Sequence, residues 1–158
     1  MRSRIGLLCI LLTIIGPTLS TARNTAVNPP AEVERRLRVL SFSWHGTARP
    51  TGYRLELSED GKHAVAQVDT ADRSVQMDLS VLHAAERVLT QYAVMEWDGF
   101  HGSDPNVLDG EGFSLCAEFV DGSSICASGE NCFPPNYRDV RKALDALMMP
   151  ALEAAGWK

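Results

Sequence analysis

Between Gly112 and Gly129 the chain alternates apolar and polar residues, with Phe113, Leu115, Ala117 and Phe119 on one side and Ser114, Cys116 and Glu118 on the other. A period of two belongs to a half-buried strand, because successive strand side chains point to opposite faces. Ile125 and Ala127 continue the alternation on the way back, and both strands bury the same face only if the numbers of paired residues sum to an even value. A three-residue turn meets that condition, with Val120 and Asp121 in a type I turn and Gly122 in the left-handed bulge position. The predicted register places Phe119 opposite Ser123, Ala117 opposite Ile125 and Cys116 opposite Cys126.

The same alternation recurs upstream. Leu40, Phe42 and Trp44 mark one face of a strand over Leu37 to Trp44; Tyr53, Leu55 and Leu57 mark a second strand, Ala64, Ala66 and Val68 a third, and Ser74 to Asp78 a short fourth. Turn formers in Glu59 to Lys62 and Thr70 to Asp72 separate them, which predicts an antiparallel meander with no parallel crossover.

The period then changes to 3.6. Leu82, Ala85, Val88 or Leu89, and Tyr92 share a helical face, with Asp78 or Ser80 as the N-cap. A second helix is expected to start at Asn136, with Asp139 in its first turn, and to carry Val140, Leu144, Leu147 and Ala151 inward. Pro150 is expected to kink or end it, and Gly156 to stop a last turn reaching Ala155. This order of elements predicts a two-layer α+β fold, an antiparallel sheet of about six strands with two helices on one face. The opposite face, which carries Ser114, Cys116, Glu118, Ser124 and Ser128 in the hairpin, is expected to meet solvent.

The N-terminal pattern differs from all of this. Arg2 and Arg4 precede an apolar run from Ile5 to Ile15, followed by Gly16-Pro17 and then Ser20-Thr21-Ala22, the three regions of a secretory signal peptide over residues 1–22. That run is too short to span a bilayer, so the membrane is expected to be met only through the signal peptide during export. Cys9 sits inside the run without the small residues that precede a lipidation cysteine. Residues 23–33, ending near Pro29-Pro30, read as a linker, and residues 34–158 as a single α+β domain.

Charge narrows the partners. The chain has a formal net charge of −5 and no basic run longer than Arg35-Arg36, which argues against nucleic acid. Outside the signal segment three cysteines remain, and the hairpin register favours a Cys116–Cys126 disulfide, leaving Cys132 as a free thiol or as a partner in another pairing.

Candidate chemistry concentrates in Trp97 to Gly110, between the first helix and the hairpin. Trp97, Phe100, His101, Asp104, Asn106 and Asp109 are its candidate binding residues, because feature-dense loops on a rigid scaffold often carry function. Asp104, Asn106 and Asp109 offer oxygen atoms, but their spacing misses a calcium loop by one residue and lacks its distal glutamate. His101, Ser103 and Asp104 are of the types used in acyl transfer, although no nucleophile-elbow pattern surrounds Ser103. The histidines at 45, 63, 83 and 101 fall at no metal-ligand spacing, and no cofactor motif is present. Trp44, Tyr53 and Trp97 are the aromatics that would line a groove, with core packing as the alternative.

Several of these segments occur together in a way that resembles an uncharacterised family of exported bacterial domains. They are Trp97-Asp98-Gly99-Phe100, Ser103 to Gly110, Phe113-Ser114-Leu115, Phe119 to Gly122, Ile125 to Gly129 and Phe133 to Tyr137. The resemblance covers about the last sixty residues closely and Tyr53 to Gln91 in element order. It implies an exported address, periplasmic or secreted, and transfers no activity; Cys116, Cys126 and Cys132 depart from its pattern. The resulting expectation is a non-enzymatic exported domain that binds a protein, a peptide or an envelope component. Two rivals are a hydrolase inhibitor acting through residues 98–109, and a thiol enzyme using Cys132 with His101 as base.

Overall fold

A computed structural model describes residues 35–46, 51–68, 74–107 and 110–156. The signal-peptide and linker expectations, and the turn at Thr70 to Asp72, lie outside these residues. In chain order the elements are β1 (Leu37–His45), β2 (Thr51–Leu57), β3 (His63–Val68), β4 (Ser74–Asp78), α1 (Leu79–Gln91), a 3₁₀ turn (Val94–Trp97), β5 (His101–Ser103), β6 (Gly112–Phe119), β7 (Ser124–Glu130) and α2 (Tyr137–Ala154). The strands form one sheet in the order β4-β3-β2-β1-β6-β7-β5.

The hairpin has the register that parity demands. Ala117 pairs with Ile125 and Cys116 with Cys126, Phe119 N–H donates to the Ser123 carbonyl at 2.9 Å, and Gly122 takes the left-handed conformation at φ 84°. Asp121 Oδ1 stiffens the turn by accepting from Ser123 N–H at 2.9 Å and from its hydroxyl at 2.6 Å. Cys116 and Cys126 are disulfide-bonded, with Cα atoms 4.2 Å apart. Because the hairpin is already local, closing so short a loop adds at most about 3 kcal/mol.

Strand β1 departs from simple alternation. Leu37 and Leu40 both face the core although their numbers differ in parity, because the pairing with β6 slips between Leu37↔Phe119 and Val39↔Glu118. Arg38 is the extra residue of this bulge, and its guanidinium reaches Glu118 on the open face.

Both helices cover the face that carries Leu40, Phe42, Tyr53, Leu55, Leu115 and Ala117. Small residues on that face, Ala64 and Ala66 on β3 and Ala127 and Gly129 on β7, allow the overlying layer to come close. Asp78 caps α1, its Oδ1 accepting from Ser80 N–H at 2.8 Å, and hydrogen bonding to Ser80 holds this carboxyl below its ordinary pKa. Helix α1 begins at edge strand β4, and the 3₁₀ turn after it packs on β7. Helix α2 begins beside Phe42 and Phe113 and also reaches β4. The two helices therefore cross the sheet in opposite senses. On the far face Ser114 and Ser124 are exposed and Cys116, Glu118 and Ser128 half-exposed, as expected of a two-layer fold.

Among the described residues the sheet has seven strands, close to the six expected, and it is antiparallel except that β5 pairs in parallel with β7. That strand was hidden because His101-Gly102-Ser103 shows no alternation; it is held by backbone bonds, such as Asp104 N–H to the Glu130 carbonyl at 2.9 Å, and by the His101 ring against the Ser128 hydroxyl. Asn136 is the N-cap of α2, at the start expected for this helix, without a capping bond from its side chain. It sits at φ 64° and sends Nδ2 to the Tyr92 carbonyl at 3.4 Å, tying the end of α1 to the start of α2.

Pro150 does not end α2, which runs on to Ala154. Pro150 and Ala146, whose carbonyl loses the bond, are both exposed, so water can satisfy the orphaned acceptor. With the helix continuing, the buried stripe is Tyr137, Val140, Leu144, Met148 and Leu152, and Leu147 and Ala151 lie at its margin.

Candidate functional site

The segment singled out in the sequence divides into a stitched part and a free tip. Asp98 Oδ1 accepts from Cys126 N–H at 3.0 Å, Gly99 N–H donates to the Cys126 carbonyl and Ser128 N–H to the Phe100 carbonyl. Trp97 is buried at 3% exposure, between Phe113 and Tyr137, and Phe100 is half-buried against Phe113. These two aromatics are framework. His101 is exposed, its Nδ1 2.8 Å from the Ser128 hydroxyl.

Asp104 turns its carboxylate inward on the chain, accepting from Asn106 N–H and Nδ2 at 3.0 Å each. Asn131 then fastens the tip, donating from Nδ2 to the Val107 carbonyl at 3.3 Å and from its backbone N–H to the Glu111 carbonyl at 2.8 Å. Asn106 and Val107 are left exposed, and Asp109 lies outside the described residues. Cys132 is a half-buried free thiol packed against Gly102, while the hydrogen bond described for the His101 ring goes to Ser128.

Trp44, Tyr53 and Trp97 do not form an open groove. They belong to a chain of rings that runs from Trp44 through Phe42 and Tyr137 to Phe113 and Trp97. The end of this chain at Trp44 holds the molecule's most unusual chemistry. Arg141 lies over the Trp44 ring, 4.7 Å from its centroid. Its Nη1 is 3.9 Å from Glu111 Oε2 and its Nε 3.9 Å from Asp145 Oδ2, both beyond hydrogen-bonding distance. Behind the guanidinium, the Tyr53 hydroxyl, the Tyr137 hydroxyl and Asp145 Oδ1 are sealed from solvent without a hydrogen-bond partner. Among the described residues these are the buried side-chain polar atoms left unsatisfied, and all three belong to this corner.

The chain matches no protein-family model and no curated protein. Burial pushes the Asp145 carboxyl above its ordinary pKa, against the pull of the Arg141 charge and of the Tyr53 hydroxyl. Burial, followed by the Asp145 charge, pushes the Tyr53 phenol well above its ordinary value, and burial raises Tyr137 as well.

A pH-dependent outcome follows from Asp145. A carboxyl whose folded pKa lies above its unfolded one binds its proton more tightly in the fold, so the native protein gains stability as pH falls through that folded value. Asp145→Asn is expected to raise the thermal midpoint at neutral pH, with the advantage shrinking towards the ordinary aspartate range near pH 4. Melting curves of both proteins across that range check the sign; a variant less stable at neutral pH would show that the Arg141 attraction outweighs burial.

Arg141 and Asp145 escaped sequence reading, since an arginine and an aspartate four apart on a helix usually form a solvated pair. The available signal was the regular spacing of Tyr137, Arg141 and Asp145, which places all three beside the buried stripe of α2.

Proposed function

We propose that this protein is an exported, non-catalytic recognition domain that meets a protein, peptide or envelope partner at the end of the sheet formed by residues 104–107, Glu111 and the start of α2. The observation that carries this reading is Val107, 43% exposed on a tip anchored to Asn131. An apolar side chain presented on a preorganised loop loses little conformational entropy on docking. The Cys116–Cys126 disulfide is compatible with an oxidising compartment. Among the described residues, no helix is long and apolar enough to cross a membrane.

The reading is tested by capture from an envelope extract with the oxidised protein and two variants. Val107→Glu places a charge on the tip, and Val120→Glu places one on the exposed turn between β6 and β7. Saturable capture weakened about tenfold or more by the first and unchanged by the second is the expected result. Equal capture by all three proteins would overturn the reading.

A further inference from the structure

The sheet ends in two unlike edges. At one, β5 is short, and β7 beyond it is covered by Asp98 and Gly99, which bond both backbone groups of Cys126. At the other, β4 pairs with β3 from Ser74 to Asp78 without a register shift, and among the described residues no strand lies on its outer side. Proteins commonly blunt such an edge with a lysine, a proline or a bulge. Ser74-Val75-Gln76-Met77-Asp78 carries none of these.

The register shows which backbone groups are left open. Ser58 N–H donates to the His63 carbonyl at 3.0 Å, so His63, Val65 and Gln67 turn their backbone groups toward β2, and Ala64 and Ala66 turn theirs toward β4. Opposite Ala64 and Ala66 lie Met77 and Val75. Ser74, Gln76 and Asp78 therefore aim their N–H and C=O groups outward, except that the carbonyl of Asp78, the N-cap, serves the first turn of α1. The side chains of the same three residues are exposed, whereas Val75 is half-buried and Met77 is buried on the helix-covered face.

This edge is complementary to itself. Antiparallel pairing about a two-fold axis at Gln76 sets Gln76 against its copy and Ser74 against Asp78, and parity then puts Val75 beside Met77 on the buried face. The two Gln76 residues exchange a pair of backbone bonds, and each Asp78 N–H meets a Ser74 carbonyl. On the open face the Ser74 hydroxyl faces the Asp78 carboxylate, of which Oδ1 is engaged by Ser80 N–H, leaving Oδ2 to accept from it. An odd-sum register would set apolar against polar side chains, and an axis at Val75 or Met77 would shorten the overlap. Helix α1 leads from β4 toward the 3₁₀ turn that packs on β7, away from the open edge.

We propose that β4 is a self-association edge, at which two copies of this chain join their sheets antiparallel about a two-fold axis at Gln76. A second copy brings the apolar pair and the hydroxyl–carboxylate pair by symmetry, whereas an unrelated extended segment would have to match both. The proposal goes beyond the recognition reading and does not rest on it, because the tip with Val107 follows β5, at the opposite edge of the sheet. So short a strand pair buries less than a standard interface, so association is expected to be reversible, with a dissociation constant in the micromolar range.

The test is sedimentation of the oxidised chain at concentrations from about 5 to 500 µM, where a monomer–dimer equilibrium of this strength is visible. The parent is expected to shift reversibly from monomer to dimer. Gln76→Pro removes the central outward N–H without removing a bond to β3 and should stay monomeric. Gln76→Lys and Gln76→Glu, both at an exposed position, place like charges opposite each other across the axis; each should weaken association about fivefold, and an equimolar mixture of the two should recover it. Val107→Glu and Val120→Glu should associate as the parent does. A parent that stays monomeric, even one whose β4 amides an extract peptide protects instead, would overturn the proposal, as would a dimer unaffected by Gln76→Pro. A mixture no tighter than either charged variant would overturn the axis at Gln76.

Discussion

Replacing Phe113 with alanine is expected to cost about 3–5 kcal/mol, the range for emptying a buried phenylalanine site. Phe113 is 3% exposed and, with Tyr137, is a hub of the aromatic framework. Its ring centroid lies 4.7 Å from Tyr137, 5.8 Å from Phe133, 6.2 Å from Trp97 and 6.3 Å from Phe100. The lost contacts would therefore loosen three segments together: the end of the 3₁₀ turn, the stretch before α2 and the first turn of α2. Collapse cannot fill the space cheaply, because β6 sits between β1 and β7 in the sheet and its backbone cannot shift alone. Denaturant unfolding with the disulfide intact gives the value. A loss below about 1 kcal/mol would mean that Phe133 and Tyr137 close over the gap, and that the framework is more plastic than its packing indicates. Since a domain of this size has about 5–15 kcal/mol of stability in total, the variant should fold but unfold well below the parent's midpoint.

Gly129→Ala is expected to be nearly as damaging, by about 3 kcal/mol, for a different reason. Gly129 lies opposite Phe113 in the hairpin, and a Cβ there would drive into the backbone carbonyl of Cys132 and come within 2.8 Å of Phe113 Cε1. Backbone cannot swing aside as a long side chain can. The chain at this point is held by Asn131, at φ 57°, through its N–H bond to the Glu111 carbonyl. Making room for the methyl group would disturb that bond, and with it both Glu111 and the anchoring of Val107. The expected result is a lowered unfolding midpoint together with weakened partner capture. Unchanged stability would show that the 130–133 segment is free to move, and would remove the rigid tip on which the recognition reading depends.

Alternation along residues 113–127, together with the even-sum rule, was sufficient to determine the hairpin and its register, and it favoured the Cys116–Cys126 pairing that the structure shows. It also placed the four-stranded meander and α1, because a period of two or 3.6 marks which side of an element is buried. The polar outer face followed from the same parity. These are properties of single elements or of neighbours joined by a short turn, where local geometry leaves few choices. Strand β5 had no period to announce it, being three residues held by backbone bonds to a strand more than twenty residues away. The continuation of α2 through Pro150 depended on both that residue and Ala146 facing water, which no local preference states.

The candidate site was the least legible part. Trp97 and Phe100 were visible as aromatics in a loop, yet only packing showed them to be framework that supports an exposed Val107. Tyr53 comes from β2, Glu111 from the residue before β6, and Tyr137, Arg141 and Asp145 from α2, and nothing local to any of them points to the others. Sequence alone determined which face most residues of the regular elements present. The tertiary structure decided what each face meets, because the route of α2 across the sheet is set by the summed packing of the whole core, and that route brings a guanidinium, two carboxylates and two unpartnered phenols to one corner.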